Sequence, residues 1–374
     1  MNIEQGMLNH ELSLRRSLFL VRYSAVQKNP LMQCVTNVRD NLMKTVSSLL
    51  NEEWYNRYKR ISKLNIRSSI YDVTNRCNLR CKGCFFFSSG EHEAAREEMD
   101  IKKWEQFIDG EMARGVNLAI LIGGEPTLCL DRVEAFYSRL PTFCATNGLI
   151  KVPRDRFPHM MVGISLWGDE EDEKTLRGKD TFSISSKHYA GDRHAYYLYT
   201  LTPKQMGKTE RLVKKIRDAG LKVHMQLLSN DEGVDQFFWS EEQLKDIRDE
   251  MDHMLDHYPD TVISSKYYHE VITTGKMLDR PFGWDECPSV TEPLDKRRPG
   301  PKRLIGFIRW ASDLKTMHRC CTSETRDCST CKDGAAHMSW VMVNKRAHIR
   351  SEEDLKGWIE VYEMFAKLYQ FIPW

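Results

Sequence analysis

The sequence lacks a long hydrophobic run, and it lacks an excess of charge of either sign. Its 374 residues include 55 Lys and Arg against 53 Asp and Glu, a formal net charge of +2, so the overall charge gives no attraction to nucleic acid. No apolar run approaches the roughly 20 residues that cross a bilayer, and the run after Arg15-Arg16 is too short for a signal peptide. We therefore expect a cytoplasmic protein with no transmembrane segment and no nucleic-acid partner.

Cysteine, in contrast, is abundant. The chain has 11 cysteines, and an odd number argues against a complete set of disulfides, which a reducing compartment would oppose as well. Cys34, Cys129 and Cys144 are scattered among apolar neighbours, which predicts small buried side chains. The other cysteines form two groups, one before residue 85 and one in the C-terminal part of the chain.

The first group is Cys77, Cys81 and Cys84, just after a short β-branched segment. Thiolates are the usual ligands of iron–sulfur clusters, and three of them can hold three irons of a [4Fe–4S] cube. The fourth iron is then open to a small molecule that chelates it. A zinc site is the less favoured alternative, because it needs a fourth ligand nearby and the nearest histidine, His92, lies in a charged, helix-prone stretch.

Three further motifs follow in order. The apolar segment Leu118–Ile122 predicts a buried strand and runs directly into Gly123-Gly124-Glu125-Pro126. Thr146-Asn147-Gly148 and Ile164-Ser165-Leu166-Trp167-Gly168 each end another strand-like segment. Glycine at such places lets the main chain lie against a ligand, although each motif alone would be an ordinary turn.

Together with the C-x3-C-x2-C spacing, these motifs resemble four signatures of the radical S-adenosylmethionine (SAM) superfamily, in the same order, over about residues 66–232. The resemblance implies a [4Fe–4S] cluster on Cys77, Cys81 and Cys84, with SAM on the open iron. It also implies a set of SAM-binding residues: Gly123, Gly124, Glu125 and Pro126 for the methionine end, Ser165 and Asn147 toward the ribose, and Arg177 near the carboxylate. A surface arginine is the alternative for Arg177.

One position departs from the superfamily pattern. The residue before the third motif cysteine is Gly83, where most members have an aromatic residue that packs on adenine. Phe85, Phe86 or Phe87 would then supply the aromatic face, with Phe85 the first choice. Adenosyl hopene transferase also has glycine at this position and a cysteine-bearing C-terminal extension.

The resemblance implies that the reduced cluster donates one electron to SAM, which breaks into methionine and a 5′-deoxyadenosyl radical that modifies a substrate. An electron donor such as flavodoxin or ferredoxin is implied as a partner. The substrate, a small molecule, a natural-product intermediate or a peptide, stays open, as does the choice between oxidoreductase, transferase and lyase. Transfer of a different SAM fragment and a non-catalytic iron–sulfur redox or binding protein are the alternatives.

The predicted architecture is α/β, a partial (β/α)6 TIM-type barrel. Alternating strand and helix signals place the barrel at residues 66–232, after a helical N-terminal extension (1–65) and before a cysteine-rich, helix-containing C-terminal extension (233–374). The predicted strands are Ser69–Val73, Leu118–Ile122, Phe143–Thr146, Met161–Leu166, Ala195–Leu201 and Lys222–Leu228. In parallel barrels, ligands bind beyond the carboxyl ends of the strands, where the motifs fall.

The second cysteine group is Cys287, Cys320, Cys321, Cys328 and Cys331. Its density resembles the auxiliary-cluster extensions of radical SAM enzymes, of the SPASM and twitch types, although the spacing differs from theirs. A second iron–sulfur cluster is the first interpretation, and structural zinc or unliganded thiols are the alternatives. We hypothesise that these cysteines lie over the open end of the barrel.

Overall fold

The computed structural model describes residues 41–88, 96–229, 237–282, 309–318 and 330–374. The chain divides into two compact units, Met1–Lys59 and Arg60–Trp374. Residues 41–49 are helical, and helix α1 (Glu52–Ile61) follows. The rest of the predicted N-terminal extension, residues 1–40, lies outside the described residues. Within the described ranges, no helix combines the length and the apolarity that a bilayer crossing requires.

The second unit is built on one eight-stranded sheet, in the order β10-β9-β1-β2-β3-β4-β5-β6. Every neighbouring pair from β9 to β6 is parallel, and β10 pairs antiparallel with β9. The strand bounds are β1 Ser68–Asp72, β2 Leu118–Ile122, β3 Thr142–Thr146, β4 Met161–Leu166, β5 Ala195–Leu201, β6 Lys222–Leu227, β9 Arg309–Trp310 and β10 Met317–His318. Among the described residues, the sheet stays open, with β6 and β10 at its edges. The predicted α/β partial barrel is confirmed.

Helices connect most of the parallel strands, as right-handed crossover connections require. The bounds are α2 Phe85–Ser88 and α3 Ile101–Ala113 after β1, α4 Leu130–Tyr137 after β2, α5 Glu170–Arg177 and α6 Phe182–Tyr189 after β4, and α7 Thr209–Asp218 after β5. Residues 147–160 join β3 to β4 without a helix. Because each of these connections starts at the carboxyl end of a strand, the first residues after the strands can form a site at that edge.

The sequence also predicts one helix over Lys204–Ala219, ending at Gly220, but the structure interrupts this segment. Pro203–Gln205 forms a separate 3-10 turn, closed by a reciprocal capping box between Thr202 and Gln205. Gly207 follows with φ +74°, a left-handed conformation that ends the turn, and α7 begins only afterwards. A Pro at the start of a helical pattern and a Gly four residues later therefore mark two elements here, not one.

The C-terminal part adds a second layer of helices. Its bounds are α8 Glu241–His257, α9 Lys266–Thr274, the hairpin β7 Lys276–Met277 and β8 Arg280–Pro281, α10 Gly334–Val343, α11 Lys345–His348 and α12 Glu352–Leu368. The sequence predicts a helix over Ser351–Phe371 with an apolar stripe that we interpret as core packing. In α12, four members of that stripe are each at most 2% exposed, Leu355, Trp358, Ile359 and Phe365, and Tyr362 is partly buried. After α12, the Tyr369 ring packs edge-on against Phe143 of β3, at 5.2 Å between centroids.

The strand pair β9 and β10 extends the sheet beyond β1, which the sequence did not predict. Arg309 of β9 aligns with Ile70 of β1, and its guanidinium makes two hydrogen bonds to the buried Asp72 carboxylate, at 3.1 and 2.9 Å. Both side chains are nearly inaccessible. A buried charge needs such a partner, so this pair joins the segment 309–318 to the first strand of the barrel.

Candidate active site

A cavity of about 360 Å³ opens at the carboxyl ends of the parallel strands, a size within the usual range of ligand sites. The structure brings nearly all of the predicted site residues to its wall: Cys77, Cys81, Cys84, Gly123, Gly124, Glu125, Asn147, Ser165 and Arg177. Pro126 is buried behind the wall as the first residue of a 3-10 turn. The side chain of Phe85 lies outside the described part of the structure.

The cysteine loop, residues 77–84, runs from β1 to α2. Its thiols form no disulfide, and the amide of Leu79 donates to the Cys77 sulfur at 3.4 Å. Burial raises the pKa of the Cys84 thiol to about 11, against hydrogen bonds from the amides of Phe87 and Phe86. Burial also raises the pKa of Cys77. Because metals bind thiolate, ligation at this loop must release protons.

Three free thiols on one wall, with amides donating toward the sulfurs of Cys77 and Cys84, are the donor set that an iron–sulfur cluster uses. No three His, Cys, Asp or Glu side chains converge on a single metal-ion position within the described ranges. Ligation by Cys77, Cys81 and Cys84 therefore stays a prediction.

The two motif glycines hold β2 against the cysteine loop. A Cβ on Gly124 would lie 2.0 Å from the Arg76 carbonyl oxygen, and one on Gly123, at φ +121°, would lie 2.6 Å from the Thr74 oxygen. The amides of Gly124 and Glu125 donate to these same two oxygens at 2.8 Å. The glycines were expected to make room for a ligand; in the structure they make room for the backbone that precedes Cys77.

Glu125 connects the ends of β2 and β3. Its carboxylate, only 1% exposed, accepts hydrogen bonds from the hydroxyls of Thr127 (2.6 Å) and Thr146 (2.7 Å) and from the amide of Asn147 (2.8 Å). The Asn147 side-chain amide in turn donates to the Asn78 side-chain oxygen in the cysteine loop, at 2.6 Å. Glu125 and Asn147 thus set the shape of the wall between the second and third motifs.

Arg177 is 3% exposed and lines the cavity, so the alternative of a surface arginine is wrong. Its guanidinium donates to the carbonyl of Ser165, to Glu173 at 3.0 Å and to the Thr181 hydroxyl at 3.1 Å. Cys81 is a further electrostatic partner of this guanidinium. Burial opposes its charge, but Glu173 and then Cys81 raise the pKa of Arg177 above its ordinary value. The Arg177 cation therefore interacts both with Ser165 of the fourth motif and with Cys81 of the cysteine loop.

The backbone strengthens the same connection. The amide of Lys82 donates to the carbonyl of Leu176 at 2.8 Å, one residue before Arg177 at the end of α5. A left-handed glycine, Gly178 at φ +79°, then caps this helix. The end of α5 and the loop that carries the cysteines are thereby held together at two points.

Aromatic rings cover the wall beside Gly83. Of the three predicted phenylalanines, Phe86 and Phe87 both line the cavity. Trp167, which belongs to the fourth motif but was not predicted as a site residue, lines the cavity as well. Its ring meets Phe237 edge-on at 6.3 Å, and Phe237 lies 3.2 Å from the position of a Cβ on Gly83. The place left by the glycine is thus filled by an aromatic side chain from outside the loop.

Sequence reasoning missed a further part of the wall, made by the end of β6 and the first turn of α10: His224, Gln226, Ser229, Asp333, Gly334 and Ala335. The alternation of His224 and Gln226 on a predicted strand was a usable signal, because residues two apart face the same side. The contribution of α10 had no local signal, since it depends on contacts between distant segments.

Most of the second cysteine group, Cys287, Cys320, Cys321 and Cys328, lies outside the described residues. Cys331 is described and buried; its sulfur is 3.9 Å from the Ser229 hydroxyl just after β6, and it accepts a hydrogen bond from the Asp333 amide at 3.4 Å. An auxiliary cluster on this group stays a prediction.

No protein-family model matches the chain, and no curated protein matches it either. Among solved structures it is similar to native anSMEcpe with bound AdoMet, with 15% identity over 81% of this chain and 97% of that chain and a TM-score of 0.49. It is also similar to anSMEcpe with bound AdoMet and Kp18Cys peptide, with 16% identity over 55% of this chain and 65% of that chain and a TM-score of 0.40. A third similar structure is Streptococcus suis SuiB bound to precursor peptide SuiA, with 12% identity over 82% of this chain and 70% of that chain and a TM-score of 0.48. Similarities of this size assign no function, which therefore has to follow from the residues of this chain.

Proposed function

We propose that this chain is a radical SAM enzyme that binds a [4Fe–4S] cluster on Cys77, Cys81 and Cys84 and cleaves SAM reductively to modify a small-molecule or peptide substrate. One observation carries the proposal. The four motifs, separated by up to about a hundred residues, all reach the wall of one cavity at the carboxyl ends of parallel strands. When bound, the cluster and SAM supply one-electron chemistry that the amino-acid side chains lack.

The protein's own contribution is to hold and shield these groups. We infer that the main chain at Gly123–Glu125 and the side chains of Ser165 and Asn147 bind SAM, with Arg177 supplying a positive charge. Their shared position in the cavity wall supports this assignment. Aromatic and aliphatic side chains make up most of the remaining wall, which limits the access of water. A shielded site protects a reactive species from solvent, and an external electron donor, such as a flavodoxin or ferredoxin, would have to approach the cysteine loop.

The test is SAM cleavage by the full chain. After anaerobic reconstitution with iron and sulfide, the protein is incubated with SAM and dithionite, and 5′-deoxyadenosine is measured by mass spectrometry. We expect iron, labile sulfide and 5′-deoxyadenosine with the wild type, and none of the three with the variant Cys77→Ala/Cys81→Ala/Cys84→Ala.

Cys144→Ala is the matched control. It removes a buried thiol of β3 that is not part of the cavity wall, and it should keep the cluster. Cleavage to a different SAM fragment would indicate aminocarboxypropyl transfer instead. A cluster without any SAM product would favour a non-catalytic redox or binding protein.

A further inference from the structure

A second set of polar side chains lines the cavity, and the SAM motifs do not account for it. His224 and Gln226 lie two residues apart on β6, and Asp333 is the N-cap of α10. The two elements are in contact, because a Cβ on Gly334 would lie 3.4 Å from the Gln226 Cβ. We call His224, Gln226 and Asp333 the acceptor set, since each offers a hydrogen-bond acceptor.

His224 presents a neutral ring. Its Nδ1 lies 2.9 Å from the Ile263 carbonyl oxygen, which can only accept, so Nδ1 carries the proton. The other ring nitrogen, Nε2, is then an acceptor. Burial lowers the pKa of His224 to about 4, which agrees with a neutral ring at pH 7.

Gln226 and Asp333 are oriented by neighbours in the wall. The side-chain NH₂ of Gln226 donates to the Thr200 hydroxyl at 3.1 Å, which leaves the amide oxygen as the acceptor at its other end. One Asp333 oxygen accepts from the Ala336 amide at 2.6 Å. A carboxylate has about four acceptor sites, so Asp333 can accept further hydrogen bonds while it caps α10.

The positive side chains nearby are engaged elsewhere. Of the described lining residues, Arg177 is paired with Glu173 and Arg309 with Asp72. The buried Lys332, next to Asp333 in the chain, donates to the Thr273 carbonyl oxygen at 3.0 Å. A carboxylate beside two neutral acceptors favours a ligand that brings both positive charge and hydrogen-bond donors.

We propose that the acceptor set is the substrate subsite, and that the substrate is an apolar amine whose protonated amino group donates to Asp333, His224 and Gln226. An ammonium group has three donors. Apolar side chains of the same cavity, among them Leu198, Met338 and Tyr369, would hold the rest of the molecule. This inference rests on the proposed function, because it assumes that the cavity is the site of the reaction.

The experiment compares three probes of similar size on the reconstituted full chain with SAM bound: 2-phenylethylamine, 2-phenylethanol and 3-phenylpropionate. Binding is measured by titration calorimetry at constant ionic strength, up to about 10 mM, because ligands of this size bind in the millimolar range. We expect the amine to bind about tenfold or more tightly than the alcohol and the carboxylate.

Asp333→Asn tests the assignment to a residue. Asparagine still caps a helix, so α10 should keep its first turn while the charge is lost. We expect this variant to bind the amine about tenfold more weakly and the alcohol with unchanged affinity. Glu353→Gln is the matched control, because it removes an exposed carboxylate from the first turn of α12 and should leave amine binding unchanged.

Three outcomes overturn the inference: no amine binding up to the highest concentration, a preference for the alcohol or the carboxylate, or an amine preference that survives Asp333→Asn. SAM cleavage is assayed on the same preparation. If 5′-deoxyadenosine forms but the amine preference is missing, the subsite assignment alone fails. If the amine preference is present without SAM cleavage, the proposed function fails and the subsite describes another activity.

Discussion

At the scale of single residues, the site depends on a few buried polar groups that each hold several partners. Arg177 is the clearest case, because one guanidinium donates to the Ser165 carbonyl and to Glu173 and interacts electrostatically with Cys81. Glu173 is itself inaccessible and also accepts from the Trp167 amide at 2.6 Å. Removing the cation would leave a carboxylate buried without its counter-charge.

Arg177→Gln should therefore lower the free energy of unfolding by about 3–5 kcal/mol, the usual cost of breaking a buried ion pair. Arg177→Lys should cost less but not restore the site, because an ammonium cannot reproduce the geometry of a guanidinium. Urea denaturation measures both, with the exposed Arg217→Gln on α7 as a control that stays within about 0.5 kcal/mol of the wild type.

The same variants separate two roles for Arg177. If it holds the SAM carboxylate, Arg177→Lys should weaken SAM binding while iron and sulfide content stay at the wild-type level. If it positions Cys81, the variant should lose iron and sulfide during reconstitution. An Arg177→Lys protein with unchanged stability, cluster content and SAM affinity would contradict both.

Buried neutral histidines make the stability of the folded protein depend on pH. Burial lowers the pKa of His337 to about 4, below the value of about 6.5 in an unfolded chain. Between these values the unfolded state binds the proton and the folded state does not, so stability is present above pH 6.5 and is lost as the pH falls toward 4. For this shift the loss is about 3 kcal/mol.

We expect His337→Gln to differ from the wild type mainly in this window: its unfolding free energy should fall less steeply between pH 7 and 4.5. Urea denaturation at the two pH values measures the slope. Val341→Ala, a buried residue of the same helix, should instead lower stability by a similar amount at both pH values. Parallel slopes for His337→Gln and wild type would show that the histidine does not titrate with folding.

At the scale of elements, the cysteine loop packs directly against the loops that follow β2 and β3. Gly124 lies directly against the Arg76 carbonyl oxygen, and a side chain there could fit only if the backbone moved. The elements on either side are short parallel strands with their carboxyl ends at the same edge. A change at this contact is therefore expected to affect the cysteines before it affects the sheet.

Gly124→Ala should reduce iron and sulfide in the reconstituted protein by more than half, and lower the unfolding free energy by about 1–3 kcal/mol, the usual cost of overpacking. Gly110→Ala is the matched control. A Cβ on Gly110, within helix α3, would meet no atom within 4 Å, so this variant should be more stable by about 0.5–1 kcal/mol. A Gly124→Ala protein with a full cluster would contradict the role given to this contact.

The elements also show how far the sequence could be interpreted. The six barrel strands were predicted because apolar runs such as Leu118–Ile122 are buried on both faces and end at glycine or polar residues. The motif residues could be placed at one edge, since parallel strands end together. The two-residue strand β9 could not be predicted from the sequence, because it depends on the ion pair between Arg309 and Asp72, which are 237 positions apart. The same holds for Asp333, whose helix reaches the cavity only through long-range packing.

At the scale of the whole molecule, the C-terminal segment completes the barrel. Leu368 and Tyr369 line the cavity from the end of α12, and Trp374 meets Tyr196 of β5 edge-on at 6.0 Å. The Gln370 amide oxygen accepts a hydrogen bond from His194 Nδ1 (2.8 Å), and its amide nitrogen donates to the Arg193 carbonyl oxygen (2.9 Å). Residues 60–374 accordingly form one compact unit.

This arrangement predicts that the barrel does not fold without its C-terminal helices. A chain that ends at residue 329 would expose Phe143 and Tyr196, together with the other side chains that α12 covers. It would also lose Glu363, the ion-pair partner of Arg60. Burying several large apolar side chains contributes about 1.5–3 kcal/mol each, while the whole domain is stable by only about 5–15 kcal/mol.

We therefore expect the truncated chain to bind the dye ANS, to lack near-ultraviolet circular dichroism and to unfold without a cooperative transition. Tyr369→Phe in the full chain is the control: it keeps the ring against Phe143 and should unfold cooperatively near the wild-type midpoint. Tyr369→Ala should cost about 3–5 kcal/mol, as large-to-small core changes do. A cooperative transition in the truncated chain would show instead that residues up to 329 fold independently of the C-terminal helices.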